Sequence, residues 1–273
     1  MKKIFISGAG GYIGSNLASY LSKRKYHLFC LTTKRKYKLK NTKWIFGKMN
    51  SNCSKFLKQS DLLVHCAATG VYKKESKENL NKVNYKDSIS FLKNAYACGC
   101  KNWIILGSSF EYGFVKNRPI SAKKTKVKPI DDYGRSKVRL FKAIQKLKFL
   151  KSCKILYLRT FHVYGGNEPK TRLYPSLTSA IKNKKFFKMT KGEELRDFIH
   201  IDSAVKKIHL SFKKFNNKNF FHVKHLATGK KMKVKDFAKK IHKIHMSNTK
   251  LLFGVLKKKN RYHSMYSDKS SIL

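Results

Sequence analysis

Short apolar runs alternate with helical patterns through the first 160 residues of the chain. Six runs are predicted to be buried strands of four to seven residues: IFISGAG, HLFCLTT, WIFGKM, LLVHCAA, WIILGSS and ILYLRTF. Between them, SNLASYLSKRK, SISFLKNAYACG and SKVRLFKAIQKLKFL carry apolar residues at helical spacing. Strands alternating with helices predict an α/β fold, in which a doubly wound parallel sheet is covered on both faces.

The pattern becomes less regular after Gly165, where GGNEPKTRLYPSL is rich in turn residues. A strand-and-helix unit returns in ELRDFIHIDSAVKKIHLSF, and a short strand, a glycine turn and a helix follow. We therefore expect a nucleotide-binding domain over 1–164, joined by about 197–219. Segments 165–196 and 220–273 are expected to form a small C-terminal substrate-binding lobe over the carboxyl edge of the sheet, where ligands bind in such folds.

Composition limits the classes of protein that fit. Hydrophobic residues make up 41% of the 273 positions and aromatic residues 13%, which is typical of a packed globular protein. No apolar run approaches the roughly 18 residues of a membrane span, and the N-terminus lacks a signal-peptide pattern, so a cytoplasmic protein is expected. Six cysteines without a C-x-x-C pair fit reduced thiols. The sequence contains no set of metal-ligating residues at the spacing of a metal site, and we do not expect His242 and His245 to be ligands.

The formal net charge is +49, which raises the question of a nucleic-acid partner. The lysines are spread over the whole length without a basic arm, so we favour a compositional bias over a nucleic-acid role, without excluding the latter. Either way, a strongly positive potential attracts anionic small substrates.

Three glycines at intervals of three follow the first strand, in GAGGYIGS. Gly8 allows a tight turn, Gly11 allows close approach of a pyrophosphate, and Gly14 allows close helix packing. With Tyr12 and Ile13 between them, they predict the phosphate-binding turn of a dinucleotide in a Rossmann domain. The amides at the start of the following helix would face the anion.

The end of the second strand indicates which dinucleotide binds. An acidic residue there usually bonds the free 2′-hydroxyl of NAD. This chain instead has LFCLTTKRKYK, in which Thr33, Lys34 and Arg35 suit a 2′-phosphate. We expect NADP(H), with NAD(H) remaining open.

Tyr133 and Lys137 are four residues apart at the start of a helical pattern, and so lie on one face. A cation one turn away favours the phenolate of a tyrosine and lowers its pKa, which suits acid–base catalysis. The same spacing joins Tyr112 and Lys116, so position decides between them. Tyr133 comes 25 residues after Ser108, which ends a predicted strand at the carboxyl edge.

Several motifs together resemble the extended short-chain dehydrogenases/reductases, in the NAD-dependent epimerase/dehydratase group that acts on nucleotide sugars. The motifs extend over nearly the whole chain and are GAGGYIGS, HCAA, SSFEYG, YGRSK, LRTFHVYG, RDFIHID and TGKKMKVKDFA. The resemblance implies that Tyr133 donates or accepts a proton and that Lys137 holds the nicotinamide ribose. Ser108 would bond the reacting sugar oxygen, with Ser109 as the alternative.

The resemblance also implies binding roles. Ala67 and Ala68 of HCAA would line the cofactor site. Arg196 would pair with the diphosphate of the nucleotide sugar, assisted by Arg172, and His162 stands where many epimerases have a substrate-contacting asparagine. Many relatives dimerise through the helices beside YxxxK, so a homodimer is an open expectation.

Three reactions compete within the group. A 4,6-dehydratase needs an Asp-Glu pair after the catalytic hydroxyl residue, but Ser109 and Phe110 stand there and Glu111 is one place late. A 4-epimerase using NAD usually keeps the acid after the second strand. Its absence favours an NADPH-dependent reductase of a nucleotide-activated 4-keto-6-deoxy sugar, in deoxyhexose or surface-polysaccharide biosynthesis, with the epimerase as the alternative. A non-catalytic nucleic-acid-binding or regulatory member of the fold is the alternative from another class.

Overall fold

The structure is a computed structural model that describes residues 2–34, 38–71, 74–116, 118–216, 220–246, 248–257 and 264–273. Eight α-helices lie in this part of the chain: α1 Tyr12–Ser22, α2 Ser54–Leu57, α3 Lys77–Asn81, α4 Ser88–Ala97, α5 Asp132–Gln145, α6 Leu173–Lys182, α7 Ile201–Leu210 and α8 Val234–Ile244. A π-helix, Lys82–Asp87, joins α3 to α4, and 3-10 helices cover Ser109–Tyr112, Leu150–Ser152 and Ser211–Asn216.

Fourteen strands are found in the same ranges: β1 Lys2–Ser7, β2 Tyr26–Thr32, β3 Thr42–Phe46, β4 Leu62–His65, β5 Asn102–Ser108, β6 Lys154–Thr160, β7 His162–Tyr164, β8 Phe187–Lys188, β9 Leu195–Arg196, β10 Phe198–His200, β11 Phe220–Leu226, β12 Met232–Lys233, β13 Leu251–Leu252 and β14 Ser264–Met265. Seven of them form a parallel sheet in the order β11-β6-β5-β4-β1-β2-β3. The predicted doubly wound α/β fold is confirmed.

Helices cover both faces of the sheet because successive strand side chains point to opposite sides. On β1, Ile4 and Ile6 join an apolar cluster with α1 and α7, whereas Phe5 joins a second cluster with α4 and α5. The strand order reverses between β4 and β1, so the crevice at their carboxyl ends is the expected ligand site.

The seventh strand differs from the sequence-based division of the chain. That division assigned 220–273 to the small lobe, whereas the structure pairs all seven residues of β11 with β6 in the central sheet. The run FFHVKHL was interpreted as a short lobe strand because it follows the irregular segment. Its pairing partner, β6, lies more than 60 positions earlier, and local pattern carries no information about that contact.

The small lobe has its own apolar core between α6 and α8. Leu177 of α6 packs with Phe237 and Ile241 of α8, and the Phe237 ring stacks on Phe198 with 3.9 Å between ring centroids. The C-terminal segment contacts both parts of the molecule. Strand β14 pairs with β9, and the Leu273 amide donates to the carbonyl of His225 on β11, in the central sheet, at 3.0 Å. In the described ranges no helix is both long and apolar enough to span a membrane.

Candidate active site

A cavity of about 960 Å³ opens at the carboxyl edge of the sheet. This volume is at the upper end of the roughly 300–1,000 Å³ of small-molecule sites and suits an extended ligand. Most residues predicted for cofactor or catalysis line it: Gly8, Gly11, Tyr12, Ile13, Gly14, Thr33, Lys34, Ala67, Ala68, Ser108, Ser109, Tyr133 and Lys137. His162 and Arg172 line it as well. Arg35 lies outside the described residues.

The glycine turn leaves no space for side chains. Gly8 has a φ of +69°, and a Cβ there would lie 2.6 Å from the backbone of Ala67 at the end of β4. A Cβ on Gly14 would lie 2.3 Å from the carbonyl oxygen of Gly8. Gly8 therefore sets the turn against β4, and Gly14 sets the helix against the turn rather than against the sheet as expected.

The N-terminus of α1 is built to face an anion. Gly11 precedes the helix without a side-chain cap, and the first turn carries no acidic residue, so its amides and positive dipole end face the cavity. The Tyr12 hydroxyl donates to the Gly165 carbonyl at 2.7 Å, which ties this helix to the loop after β7. The cradle thus fits a dinucleotide pyrophosphate.

The end of β2 is more open than the glycine turn. Thr32 is buried and its Oγ1 accepts the Lys34 amide at 3.0 Å, whereas Thr33 and Lys34 are exposed at the rim. Lys48, after β3, also lines the cavity. The described part of this rim presents hydroxyl and ammonium groups to the cavity.

Helix α5 places Tyr133 and Lys137 on the cavity wall. The Asp131 carboxylate caps the helix by accepting the Gly134 amide at 2.6 Å. A Cβ on Gly134 would lie 2.6 Å from the Phe110 carbonyl oxygen, so a glycine lets the helix approach the turn after β5. Tyr133 thereby meets the Phe110 ring edge-to-face, with 6.0 Å between centroids.

Lys137 is 1% exposed, an unusual environment for an ammonium group. Burial lowers its pKa from 10.5 to about 8, while the Glu111 carboxylate and the Cys66 thiol act in the opposite direction. Lys137 therefore keeps most of its charge at neutral pH.

The two serines after β5 differ in their contacts. The Ser108 Oγ accepts the Phe110 amide at 3.2 Å and so begins the 3-10 helix. The Ser109 hydroxyl donates to the Met265 Sδ at 3.0 Å, which ties it to the C-terminal segment. Both are buried cavity residues, and Ser108 ends β5 itself.

Glu111 is fully buried in an ion pair with Arg159 at 2.7 Å. Its carboxylate also accepts the Ser108 amide at 2.9 Å and the Tyr157 hydroxyl at 2.8 Å. Sequence reasoning considered Glu111 only as a misplaced dehydratase acid. It is instead the centre of a buried network beside the turn after β5.

His162 lies close to two guanidinium groups. Burial lowers its pKa well below 6.5, and the charges of Arg196 and Arg172 act in the same direction, so the ring is neutral. Within the described part of the chain, its buried Nδ1 has no hydrogen-bond partner. The structure thus brings His162, Arg172 and Arg196, three of the four residues predicted to bind substrate, close together.

The two arginines are held differently. Arg172 pairs with the buried Glu168 at 2.9 Å and keeps a side chain 28% exposed in the cavity. Arg196 is 3% exposed and donates to the Leu195 carbonyl at 2.9 Å. Among the described residues that line the cavity, Arg172 is present and Arg196 is not. Asp197 beside it fixes the loop after β11 by accepting the Thr228 and Gly229 amides at 2.8 and 2.7 Å.

Several residues that shape the site have no sequence signal. Asn84, in the π-helix, is fully buried and donates to the Thr69 carbonyl and the Ser136 Oγ, each at 3.0 Å. It thereby fixes the loop after β4 against α5. Glu75 and Asp87 also line the cavity.

No group of three or more His, Cys, Asp or Glu side chains within the described ranges could hold a metal ion.

Sequence relatives are nucleotide-sugar enzymes by name. The chain is 26% identical over 277 residues to a UDP-glucose 4-epimerase of Lactobacillus helveticus, covering 90% of this chain and 84% of that protein. It is 23% identical to a CDP-abequose synthase of Yersinia pseudotuberculosis, covering 76% and 71%. It is 24% identical to a GDP-6-deoxy-D-talose 4-dehydrogenase of Aggregatibacter actinomycetemcomitans, covering 74% and 67%.

Solved structures share the fold. A UDP-N-acetylglucosamine 4-epimerase from Methanobrevibacter ruminantium M1, in complex with UDP-N-acetylmuramic acid, superposes with a TM-score of 0.87 at 21% identity, covering 98% of this chain and 90% of that chain. The family model for the NAD dependent epimerase/dehydratase family matches residues 4–223. The chain therefore belongs to the NAD-dependent epimerase/dehydratase family and is an enzyme of its NAD(P)-dependent epimerase or ketoreductase kind.

Proposed function

We propose that this enzyme reduces a nucleotide-activated 4-keto-6-deoxy sugar with NADPH, in deoxyhexose or surface-polysaccharide biosynthesis. The observation that carries the proposal is one cavity shared by the glycine turn, the basic rim after β2, and the residues Ser108, Tyr133 and Lys137. Nucleotide and sugar subsites would thus be continuous across the carboxyl edge of the sheet.

The cofactor would be held along one wall. The glycine turn and the N-terminus of α1 would take the pyrophosphate, and Ala67 and Ala68 would line the next section. Thr33 and Lys34, with Arg35 beyond the described residues, would take a 2′-phosphate. When bound, the nicotinamide supplies the hydride for the carbonyl carbon.

The protein residues would supply orientation and the proton. Ser108 would donate a hydrogen bond to the 4-keto oxygen, and Tyr133 would give it a proton as the alcohol forms. The buried ammonium of Lys137, one turn further along α5, would favour the phenolate that remains and bond the nicotinamide ribose. Water then reprotonates Tyr133 after release of the product.

The anionic half of the substrate would lie toward the small lobe. Arg172 would contact the diphosphate directly, because its guanidinium is partly exposed in the cavity. Arg196 would add positive potential at His162. The neutral His162 would hydrogen-bond the sugar, as the asparagine does in many epimerases.

The name of one relative supports a reductase. It is a GDP-6-deoxy-D-talose 4-dehydrogenase, whose name describes redox chemistry at carbon 4 of a nucleotide-activated deoxy sugar. A 4-epimerase using NAD is the second candidate, favoured by the Lactobacillus helveticus relative and by a UDP-glucuronic acid 4-epimerase of Bacillus cereus solved with NAD.

Cofactor titration separates the two candidates. Binding of NADPH and NADH to the purified enzyme is followed by nicotinamide fluorescence, and oxidation of NADPH at 340 nm is then measured with nucleotide-4-keto-6-deoxyhexoses. NADPH preference with turnover supports the reductase. NADH preference, or co-purified NAD with interconversion of UDP-glucose and UDP-galactose, replaces it with the epimerase. Binding of neither cofactor, together with tight RNA binding at physiological salt, contradicts both.

A further inference from the structure

Glu111 contacts more of the catalytic wall than a simple ion pair requires. Its carboxylate meets the Ser108 backbone, the Arg159 guanidinium and the Tyr157 hydroxyl within 2.7–2.9 Å. We propose that Glu111 is a positioning residue that fixes Ser108 in the catalytic turn and acts as the shared counter-ion of Arg159 and Lys137. This inference rests on the proposed roles of Ser108 and Lys137.

The contact with Ser108 is reciprocal. The Ser108 amide donates to Glu111 Oε1 at 2.9 Å, while the Ser108 Oγ accepts the Phe110 amide at 3.2 Å. Such a capping box satisfies amides at both ends of the turn. Both backbone and side chain of Ser108 are then held in one conformation, with the hydroxyl hydrogen left to donate to a substrate oxygen.

The other side of the carboxylate faces β6. Arg159 Nε donates to Oε2 at 2.7 Å, and the Tyr157 hydroxyl donates to Oε1 while lying 3.4 Å from the Lys137 carbonyl oxygen. A Cβ on Gly107 would come within 2.6 Å of Oε1. Glycine at that position therefore leaves the space in which the carboxylate joins β5, β6 and α5.

The charges around Lys137 make Glu111 the anion of this cluster. On β4, His65 is neutral because burial lowers its pKa to about 3, and the Cys66 thiol is protonated because burial raises its pKa to about 12. Tyr133 lies on the same helix face, and Asp87 of the π-helix lines the cavity nearby. Burial raises the pKa of Tyr157 well above 10, so this hydroxyl keeps its proton.

Arg159 is satisfied on its far side by neutral groups. Its Nη1 donates to the Tyr112 hydroxyl at 2.9 Å, which lies 2.6 Å from His225 Nε2, and His225 Nδ1 lies 2.7 Å from the Ser267 hydroxyl. With two cations and one carboxylate, the buried cluster carries an excess charge of about +1. Loss of Glu111 would raise this excess to about +2, which would disfavour the charged form of Lys137 and lower its pKa.

The decisive variant is Glu111→Gln, which keeps size and polarity but removes the charge. Lys137 then loses the carboxylate that opposes its desolvation, so its pKa falls and the alkaline limb of kcat moves to lower pH. We expect a shift of about one pH unit or more, a loss of about tenfold or more in kcat, and KM within about twofold. Hydrogen exchange of the Ser108 amide should also become faster.

Two variants serve as controls. Tyr157→Phe removes a bond to Glu111 without a charge change and should leave the alkaline limb in place. Glu193→Gln removes a surface carboxylate that pairs with Lys233 and Lys235, and should alter neither kcat nor Ser108 exchange.

A second variant separates a failure to fold from an effect on function. If Glu111→Gln does not fold, the double variant with Arg159→Gln removes the unpaired buried charge. The proposal requires that the double variant keep fast Ser108 exchange, because the carboxylate that accepts the Ser108 amide is still absent. Wild-type exchange in the double variant would overturn it, as would a folded single variant with unchanged exchange and pH profile. Absence of turnover in the wild type would refute the proposed function, while Ser108 exchange would still decide the positioning role.

Discussion

The inner and outer walls of the cavity are built in different ways. The inner wall comprises the glycine turn, the turn after β5 and the start of α5, where backbone and buried groups are in close contact. The outer wall comprises the exposed Thr33 and Lys34 and the partly exposed Arg172. A change on the inner wall disturbs several buried partners at once, whereas a change on the outer wall alters one solvated side chain.

We interpret this difference between the walls as a division between the groups proposed for catalysis and those proposed for ligand preference. The inner wall contains the groups proposed for proton transfer and pyrophosphate binding, and its geometry depends on positions that admit no Cβ. Under the proposed function, the outer wall would face the groups that distinguish one dinucleotide or nucleotide sugar from another. We therefore expect large, catalytic effects from inner-wall variants and small effects on preference from outer-wall variants.

The largest effect is expected for Tyr133→Phe. Loss of the proposed proton donor should lower kcat about a thousandfold or more, because general acid catalysis contributes about 10²–10⁴. NADPH affinity should stay within about twofold, measured by fluorescence titration. Tyr85→Phe, on the π-helix, removes another hydroxyl and should leave kcat unchanged. A Tyr133→Phe enzyme with full activity would disprove the assigned chemistry.

The next effect is expected for Gly14→Ala. The added methyl would lie 2.3 Å from the Gly8 carbonyl, so the turn must move and NADPH should bind about a hundredfold more weakly. Gly99→Ala is the matched control: its φ is +83°, but open space surrounds its Cβ position. It should lose about 1 kcal/mol of stability without a change in NADPH affinity. Equal affinities for NADPH in the two variants would contradict the claim that close backbone contact at Gly14 controls NADPH binding.

Acid should destabilise the buried, inner part of the molecule. The pKa of His65 and of His225 is lowered to about 3 by burial, while each has a pKa near 6.5 when unfolded. Below pH 6.5 the unfolded state binds more protons, so the free energy of unfolding falls as pH falls, by about 1.4 kcal/mol per pH unit for each histidine. Urea denaturation at several values between pH 7.5 and 5 measures this slope.

Variants identify the histidines responsible. His225→Gln should reduce the slope by one histidine's share, whereas His27→Gln, on an exposed strand residue, should leave it unchanged. Identical slopes in all three proteins would mean that His225 does not stay neutral in the folded state.

The smallest effect is expected for Thr33→Asp on the outer wall. A carboxylate there would repel a 2′-phosphate and accept a 2′-hydroxyl, so the preference for NADPH over NADH should fall about tenfold. Thr42→Asp, at the start of β3, introduces the same side chain away from the cavity and should not alter the preference. A Thr33→Asp enzyme that keeps its preference for NADPH would show that this rim does not contact the 2′-phosphate of the ribose.

The inner wall could be predicted largely from sequence because its signals are local. Gly8, Gly11 and Gly14 follow an apolar strand at fixed spacing, and Tyr133 and Lys137 share one helix face. Their placement around one cavity follows from the rule that parallel strands share a carboxyl edge. The alternation of strands and helices was therefore sufficient to locate these residues from the sequence.

The remaining features depend on contacts between distant positions. Glu111 is recognised as structural only when Arg159, 48 residues later, is seen beside it. The role of Asn84 is not visible in the sequence, because it depends on its hydrogen bonds from the π-helix to Thr69 and Ser136. Likewise, Arg196 is buried on β9, which pairs with β12 and β14, and no local pattern indicates these pairings.

The return of the C-terminal segment bears on how the enzyme is made. Met265 holds Ser109, Ser267 meets His225, and the Leu273 amide bonds the β11 backbone. During synthesis, the turn after β5 emerges from the ribosome more than 150 residues before these partners do. The nascent chain can therefore form most of its sheet before this turn meets the C-terminal residues that contact it.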